Sequence, residues 1–179
     1  MKKRQPTKKP ITFTLFEVEE GYKAPHKHWG MDLTNARLQS GQVIEILTIV
    51  DMTTKQSPAA EVRTTFTIHD VVKLLDRLTD KGEQHVILYI DHRKEFTSSS
   101  LKDWSQRNNV DLAYSHFGKP TSRGGIETFI RRLNVECLNA LNLTSIKEAQ
   151  QSIDVWRAAY NSSRPDAKLR KYRPINIYE

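Results

Sequence analysis

The stretch Val86–Ile90 reads VILYI, and the residue after it is Asp91. Five apolar residues in succession, β-branched and aromatic types among them, leave no polar face. Such a run suits a strand covered on both sides, at the parallel centre of a sheet with helices above and below. A rigid buried strand that ends on a carboxylate is also a good mount for a side chain that must be held in one place.

The flanking pattern says what surrounds that strand. WGMDLTNARL (29–38) and VIEILTIVD (43–51) are strand-like and are separated by Ser40-Gly41, a turn signal. SPAAEVRTTF (57–66) reads as a third strand entered after a proline. The period then changes. Thr67 and Asp70 open a helix as a capping box, with Val71, Leu74, Leu75 and Leu78 on one face and Lys81-Gly82 at its end. After the central strand come a helix over 98–108 with Leu101 and Trp104 inward and a strand over 110–115. A loop with Gly118, Pro120, Gly124 and Gly125 follows. Next is a helix over 126–140, with the stripe Ile126, Ile130, Leu133, Cys137 and Ala140. Ser145 and Glu148 form a second capping box, which opens a helix with Ile146, Ala149, Ile153, Trp156 and Tyr160 inward. The order β-β-β-α-β-α-β-α-α predicts an α/β fold, a mixed five-stranded sheet with helices on both faces.

Residues 1–28 read as a basic arm and linker, 29–162 as the core, and 163–179 as a basic tail. The arm carries Lys2, Lys3, Arg4, Lys8 and Lys9, and the tail Arg164, Lys168, Arg170, Lys171 and Arg173. With 28 basic against 21 acidic residues, the chain has a net charge of +7 and a pI near 9.5. That excess suits a polyanion, nucleic acid before an anionic membrane surface. One cysteine, Cys137, excludes a disulfide framework within the chain and fits a reducing compartment. With one cysteine and scattered histidines, His92 and His116 among them, a zinc site is not expected. No window has the apolar length of a membrane span.

Three carboxylates stand out by position. Asp32 lies in the first strong strand, Asp91 ends the central strand, and Glu127 sits in the first turn of the helix after the glycine-rich loop, with 35 residues between it and Asp91. In open α/β sheets, sites form beyond the carboxyl ends of the strands. Converging acids repel one another without a cation, and oxygen donors suit Mg²⁺ or Mn²⁺. Two such ions about 3.5–4 Å apart clamp a scissile phosphate. Each acid also has an ordinary structural reading. A strand-end Asp is commonly a turn residue, as Asp51 and Glu95 would be. Glu127 suits a helix N-terminus and could pair with Arg131 one turn on.

Six short segments decide further. They are WGMD (29–32), EFTS (95–98), GKP (118–120), IETF (126–129), ECLN (136–139) and YNSSRP (160–165). In this order and spacing, over roughly Trp29 to Pro174, the chain resembles the DDE integrase catalytic core of bacterial insertion-sequence transposases, related to retroviral integrases. The resemblance implies a ribonuclease H-like fold with Asp32, Asp91 and Glu127 as catalytic and metal-binding triad, holding Mg²⁺ or Mn²⁺, as two ions. It implies DNA strand cleavage and strand transfer between element ends and target, with neither a covalent protein intermediate nor ATP. It implies a homo-oligomer on DNA, recognition of the ends by a separate DNA-binding subunit or further sequence, and a cytoplasmic, nucleoid-associated protein. Lys119, Arg123, Arg131 and Arg132 then become candidate phosphate contacts around Glu127. The family's usual DNGPEF is DHRKEF here, with Arg93 in place of the glycine. Three readings follow: an active core, a non-catalytic DNA-binding or regulatory relative, or a ribonuclease H-like nuclease acting on another nucleic acid.

Overall fold

The computed structural model describes residues 27–80, 87–91, 96–114, 124–139 and 142–163. Five strands form one sheet: β1 (His28–Arg37), β2 (Val43–Asp51), β3 (Ala59–Arg63), β4 (Ile87–Ile90) and β5 (Asp111–Tyr114), in the spatial order β3-β2-β1-β4-β5. The first three are antiparallel, whereas β4 is parallel to both β1 and β5. The sheet is therefore mixed, as the element order predicted, with the apolar β4 inside its parallel half.

Alternation along the strands sorts side chains into two cores. Trp29, Met31 and Leu33 of β1, Leu47 and Ile49 of β2, and Leu88 and Ile90 of β4 pack on one face against α1 (Ile68–Thr79) and α2 (Ser99–Arg107). The opposite face carries Ile44, Ile46 and Val50 of β2 and Ala60 and Val62 of β3. They meet α3 (Gly124–Leu133), its π-helical continuation (Asn134–Leu138) and α4 (Ile146–Ser163).

Local chemistry accounts for the element ends. At the start of α1 the Thr67 hydroxyl accepts the Asp70 amide, and the Asp70 carboxylate accepts the Thr67 amide at 2.9 Å, the predicted capping box. The Thr67 hydroxyl also donates to the Asp70 carboxylate, and this bond, with that of the Thr67 amide and Arg63 nearby, holds the Asp70 carboxyl below the usual carboxylate range. Trp104 Nε1 donates to Asp76 Oδ1 at 2.8 Å and ties α2 to α1. Gly41 sits at φ +85° in the β1–β2 turn, where a side chain is strained.

Four details differ from the sequence reading. β3 is shorter than 57–66: it starts at Ala59, after Ser57 and Pro58 whose carbonyls are held from α4, and it ends at Arg63. The second capping box is split: Ser145 Oγ accepts the Glu148 amide, but the Glu148 carboxylate bonds to Thr144 instead of Ser145. On α3 the side chain at the centre of the packing is the wholly buried Phe129, while Ile130 is only half-buried. The helix widens from Asn134, so its final turn does not keep the α period.

Candidate active site

Asp32 is on β1 between Met31 and Leu33, which face the α1/α2 core, so its side chain projects from the α3/α4 face. It is half-buried, and its Oδ1 accepts the amide of Leu33 at 2.8 Å. The β1–β4 register pairs His28 with Ile87, Trp29 with Leu88 and Gly30 with Tyr89. Carried two residues further, it sets Asp32 opposite Asp91, the residue that follows β4. Leu88 and Ile90 face the α1/α2 core, so Asp91, one residue on, falls on the same face as Asp32. Asp32 and Asp91 are both half-buried, Asp32 two residues beyond the last residue of β1 paired with β4 and Asp91 just past the end of β4.

Glu127 comes from the helix laid over that face. A Cβ placed on Gly30 would stand 3.5 Å from Ile126 Cβ and 2.9 Å from Met52 Sδ, so the missing side chain is what admits α3 so close to the sheet. Gly30 is one pleat repeat before Asp32, and Glu127 is the exposed residue following Ile126. The three predicted carboxylates thus come from β1, the end of β4 and the first turn of α3, on one side of one sheet. Among the described residues no three His, Cys, Asp or Glu side chains are gathered into a group that could hold a metal ion. The fold puts Asp32 on β1, Asp91 after the end of β4 and Glu127 on the covering helix, without closing the three together. Carboxylates are hard oxygen donors, the kind that a divalent cation such as Mg²⁺ or Mn²⁺ takes.

The other acids have structural employment. Asp51 is fully buried and its Oδ1 accepts the amides of Thr53 at 2.7 Å and Thr54 at 3.0 Å, as a turn residue does. Glu136 takes both Nε and Nη2 of Arg132, and Trp156 Nε1 at 3.2 Å. The Arg132 bonds hold its carboxyl below the usual range. Arg132 also lies 5.7 Å from the Tyr160 ring centre, joining α3 to α4. Arg131 is exposed beside Thr128 and Val135 on the outer surface of α3. Lys119, Arg123, Glu95, His92, Arg93 and His116 lie outside the described residues, as do residues 1–26 and 164–179.

The sequence reading did not single out the turn that seats the N-terminus of α3. Lys55, at φ +63°, donates from Nζ to the Met52 carbonyl at 2.5 Å. A Cβ on Gly125 would meet Met52 Cε at 3.2 Å and Lys55 Nζ at 3.3 Å. The end of this turn is pinned from α4. Asn161 Oδ1 accepts the Ser57 amide at 2.9 Å, Asn161 Nδ2 donates to the Ser57 carbonyl at 3.0 Å, and Arg157 Nη1 donates to the same carbonyl at 2.7 Å. Tyr160 and Asn161 of the YNSSRP segment thus act in packing and anchoring. The segment was the available signal, but its partners are about 100 residues away.

A mixed sheet in this order, with helices on both faces, is the fold of the retroviral integrase cores. The structure is similar to the catalytic core domain of BIV integrase, with a TM-score of 0.61 and 17% identity over 80% of this chain and 88% of that one. It is also similar to a chain of the simian T-cell lymphotropic virus intasome in complex with PP2A regulatory subunit B56 gamma, with a TM-score of 0.62 and 14% identity over 98% of this chain and 64% of that one. The integrase core domain family matches residues 23–120, and a second family of the same description matches residues 108–174. The chain belongs to the integrase core domain family.

Among its relatives, a 31.7 kDa protein of insertion element IS407 from Burkholderia multivorans is 32% identical over 84% of this chain and 54% of its own length. A 39.2 kDa protein of insertion element IS476 from Xanthomonas euvesicatoria is 30% identical over 86% of this chain and 44% of its own length. The chain spans about half the length of these curated relatives. Among the described residues, no helix is long and apolar enough to cross a membrane.

Proposed function

We propose that the chain is the catalytic core of an insertion-sequence transposase, which cuts a DNA phosphodiester at an element end and joins the freed 3′-hydroxyl to target DNA. The observation that supports this reading is the parallel pairing of β1 with β4, from His28–Ile87 to Gly30–Tyr89, which runs towards Asp32 and Asp91 under the helix bearing Glu127. Asp32 on β1, Asp91 just past β4 and Glu127 on α3 would hold the divalent cation. When bound, Mg²⁺ or Mn²⁺, as a pair, lowers the pKa of the attacking water or hydroxyl and stabilises the leaving oxygen.

The protein's remaining task is to place the phosphate. Exposed Arg131, one helical turn beyond Glu127, contacts the DNA backbone together with Lys119 and Arg123. Arg132 reaches DNA only by leaving Glu136 and Tyr160. The basic arm and tail add sequence-independent attraction to the backbone. Joining two ends to one target requires more than one copy on DNA, and recognition of the ends falls to a separate DNA-binding subunit or to sequence beyond this chain. A bacterial cytoplasm, in contact with the nucleoid, is where such a protein works.

The DHRKEF segment favours a second reading, a non-catalytic DNA-binding or regulatory relative. Nicking of supercoiled plasmid in Mn²⁺ separates the two. The first reading predicts nicks by the wild type and at least a 100-fold loss in Asp32→Asn and Glu127→Gln, with DNA binding retained. A folded wild type that binds DNA but leaves the plasmid intact would support the second.

A further inference from the structure

Thr48 is an anomaly in the core. It lies in the middle of β2, is fully buried, and its Oγ1 has no hydrogen-bond partner among the described residues. Its flanking same-face residues, Ile46 and Val50, are apolar, as is Ala60 on its β3 side. On its β1 side the cross-strand partner is Asp32. Directly opposed residues of an antiparallel pair project from the same face with Cβ atoms about 4.5–5.5 Å apart. The Thr48 hydroxyl is therefore within side-chain reach of the Asp32 carboxylate. A valine would fill this volume without leaving a polar atom orphaned, so the hydroxyl is a feature that packing alone does not explain.

We propose that Thr48 is a positioning residue for Asp32. With the cation bound, its hydroxyl donates to the Asp32 carboxylate and fixes the orientation in which that carboxylate offers an oxygen. In the free protein Asp32 Oδ1 instead accepts the Leu33 amide. The inference rests on the reading of Asp32 as a cation ligand. Partners of this kind typically change metal affinity 10- to 100-fold when removed.

Calorimetric titration of Mn²⁺ into the full chain tests it, with Thr48→Val, Thr48→Ser and Asp32→Asn beside the wild type. The expected result is about a 10-fold weaker Mn²⁺ affinity for Thr48→Val, restored to within about twofold by Thr48→Ser. The metal-free Thr48→Val protein should melt no lower than the wild type, which a purely structural threonine would not allow together with weakened binding. Thr48→Ala, which removes the hydroxyl without adding bulk, should weaken binding as the valine does. Wild-type affinity in Thr48→Val, or equal weakening in Thr48→Ser, overturns the role of Thr48 while leaving the Asp32 site standing. Mn²⁺ binding that Asp32→Asn does not change overturns both.

Discussion

Replacing Asn161 with alanine tests whether α4 anchors the turn beneath the active site. The substitution removes an acceptor 2.9 Å from the Ser57 amide and a donor 3.0 Å from the Ser57 carbonyl. The two losses are unequal. The carbonyl keeps the Arg157 guanidinium at 2.7 Å, so its lost bond costs about 1 kcal/mol. The amide belongs to a fully buried residue and its acceptor among the described residues is Asn161 Oδ1, so its loss costs about 1–3 kcal/mol as an unsatisfied donor. Asn161→Ala should therefore lower the unfolding free energy by about 2–4 kcal/mol, read from the urea midpoint at unchanged slope. Ser162→Ala is the control, since its hydroxyl only bonds back to the Ala158 carbonyl at 2.9 Å on the exposed side of the helix. It should stay within about 0.5 kcal/mol of the wild type. A loss under about 0.5 kcal/mol for Asn161→Ala would refute the anchoring role.

Three other perturbations follow from the packing. Gly30→Val drives a branched side chain into Met52 Sδ and Ile126; it should cost about 1–3 kcal/mol and depress plasmid nicking further by lifting α3, whereas Gly30→Ala asks only that the methionine sulfur move. The Gln150 amide accepts from Val62 N at 2.7 Å and donates to Ala60 O at 3.0 Å, closing the free edge of β3, so Gln150→Ala should cost about 1–3 kcal/mol by denaturation and increase light scattering on concentration. Burial lowers the pKa of His28 below its ordinary 6.5, with Asp51 opposing. Below 6.5 the unfolded chain then binds a proton that the folded one resists, so stability is full above 6.5 and falls as the pH drops through it; His28→Gln should flatten that part of a urea-midpoint profile.

Features with local causes were readable in the chain. The β1 and β2 alternation, the Thr67–Asp70 box and the apolar β4 each depend on neighbours in sequence, and each formed where the pattern put it. Asp91 was conspicuous for a local reason too, since an apolar strand ends on it. What the residues did not disclose depends on distant partners. The prominence of Phe129 over Ile130 comes from its edge-on contacts with Trp156 and Tyr160, at 5.2 and 4.9 Å between ring centres. The start of β3 at Ala59 follows Ser57, whose carbonyl is held by Arg157 and Asn161 on α4. Arg131 and Arg132 are adjacent in sequence, and only the contact with Glu136 and Tyr160 tells them apart. The parallel register of β1 on β4 likewise joins segments about 60 residues apart, which no local pattern encodes.

The central claim is that Asp32, Asp91 and Glu127 jointly hold the catalytic cation. Anomalous diffraction at the manganese edge, from a crystal of the chain grown in Mn²⁺, tests it most directly. The account predicts a peak between the Asp32 and Asp91 carboxylates, on the α3 side of the sheet, that disappears in Asp91→Asn. A peak elsewhere, or none at Mn²⁺ concentrations that support nicking, would contradict it.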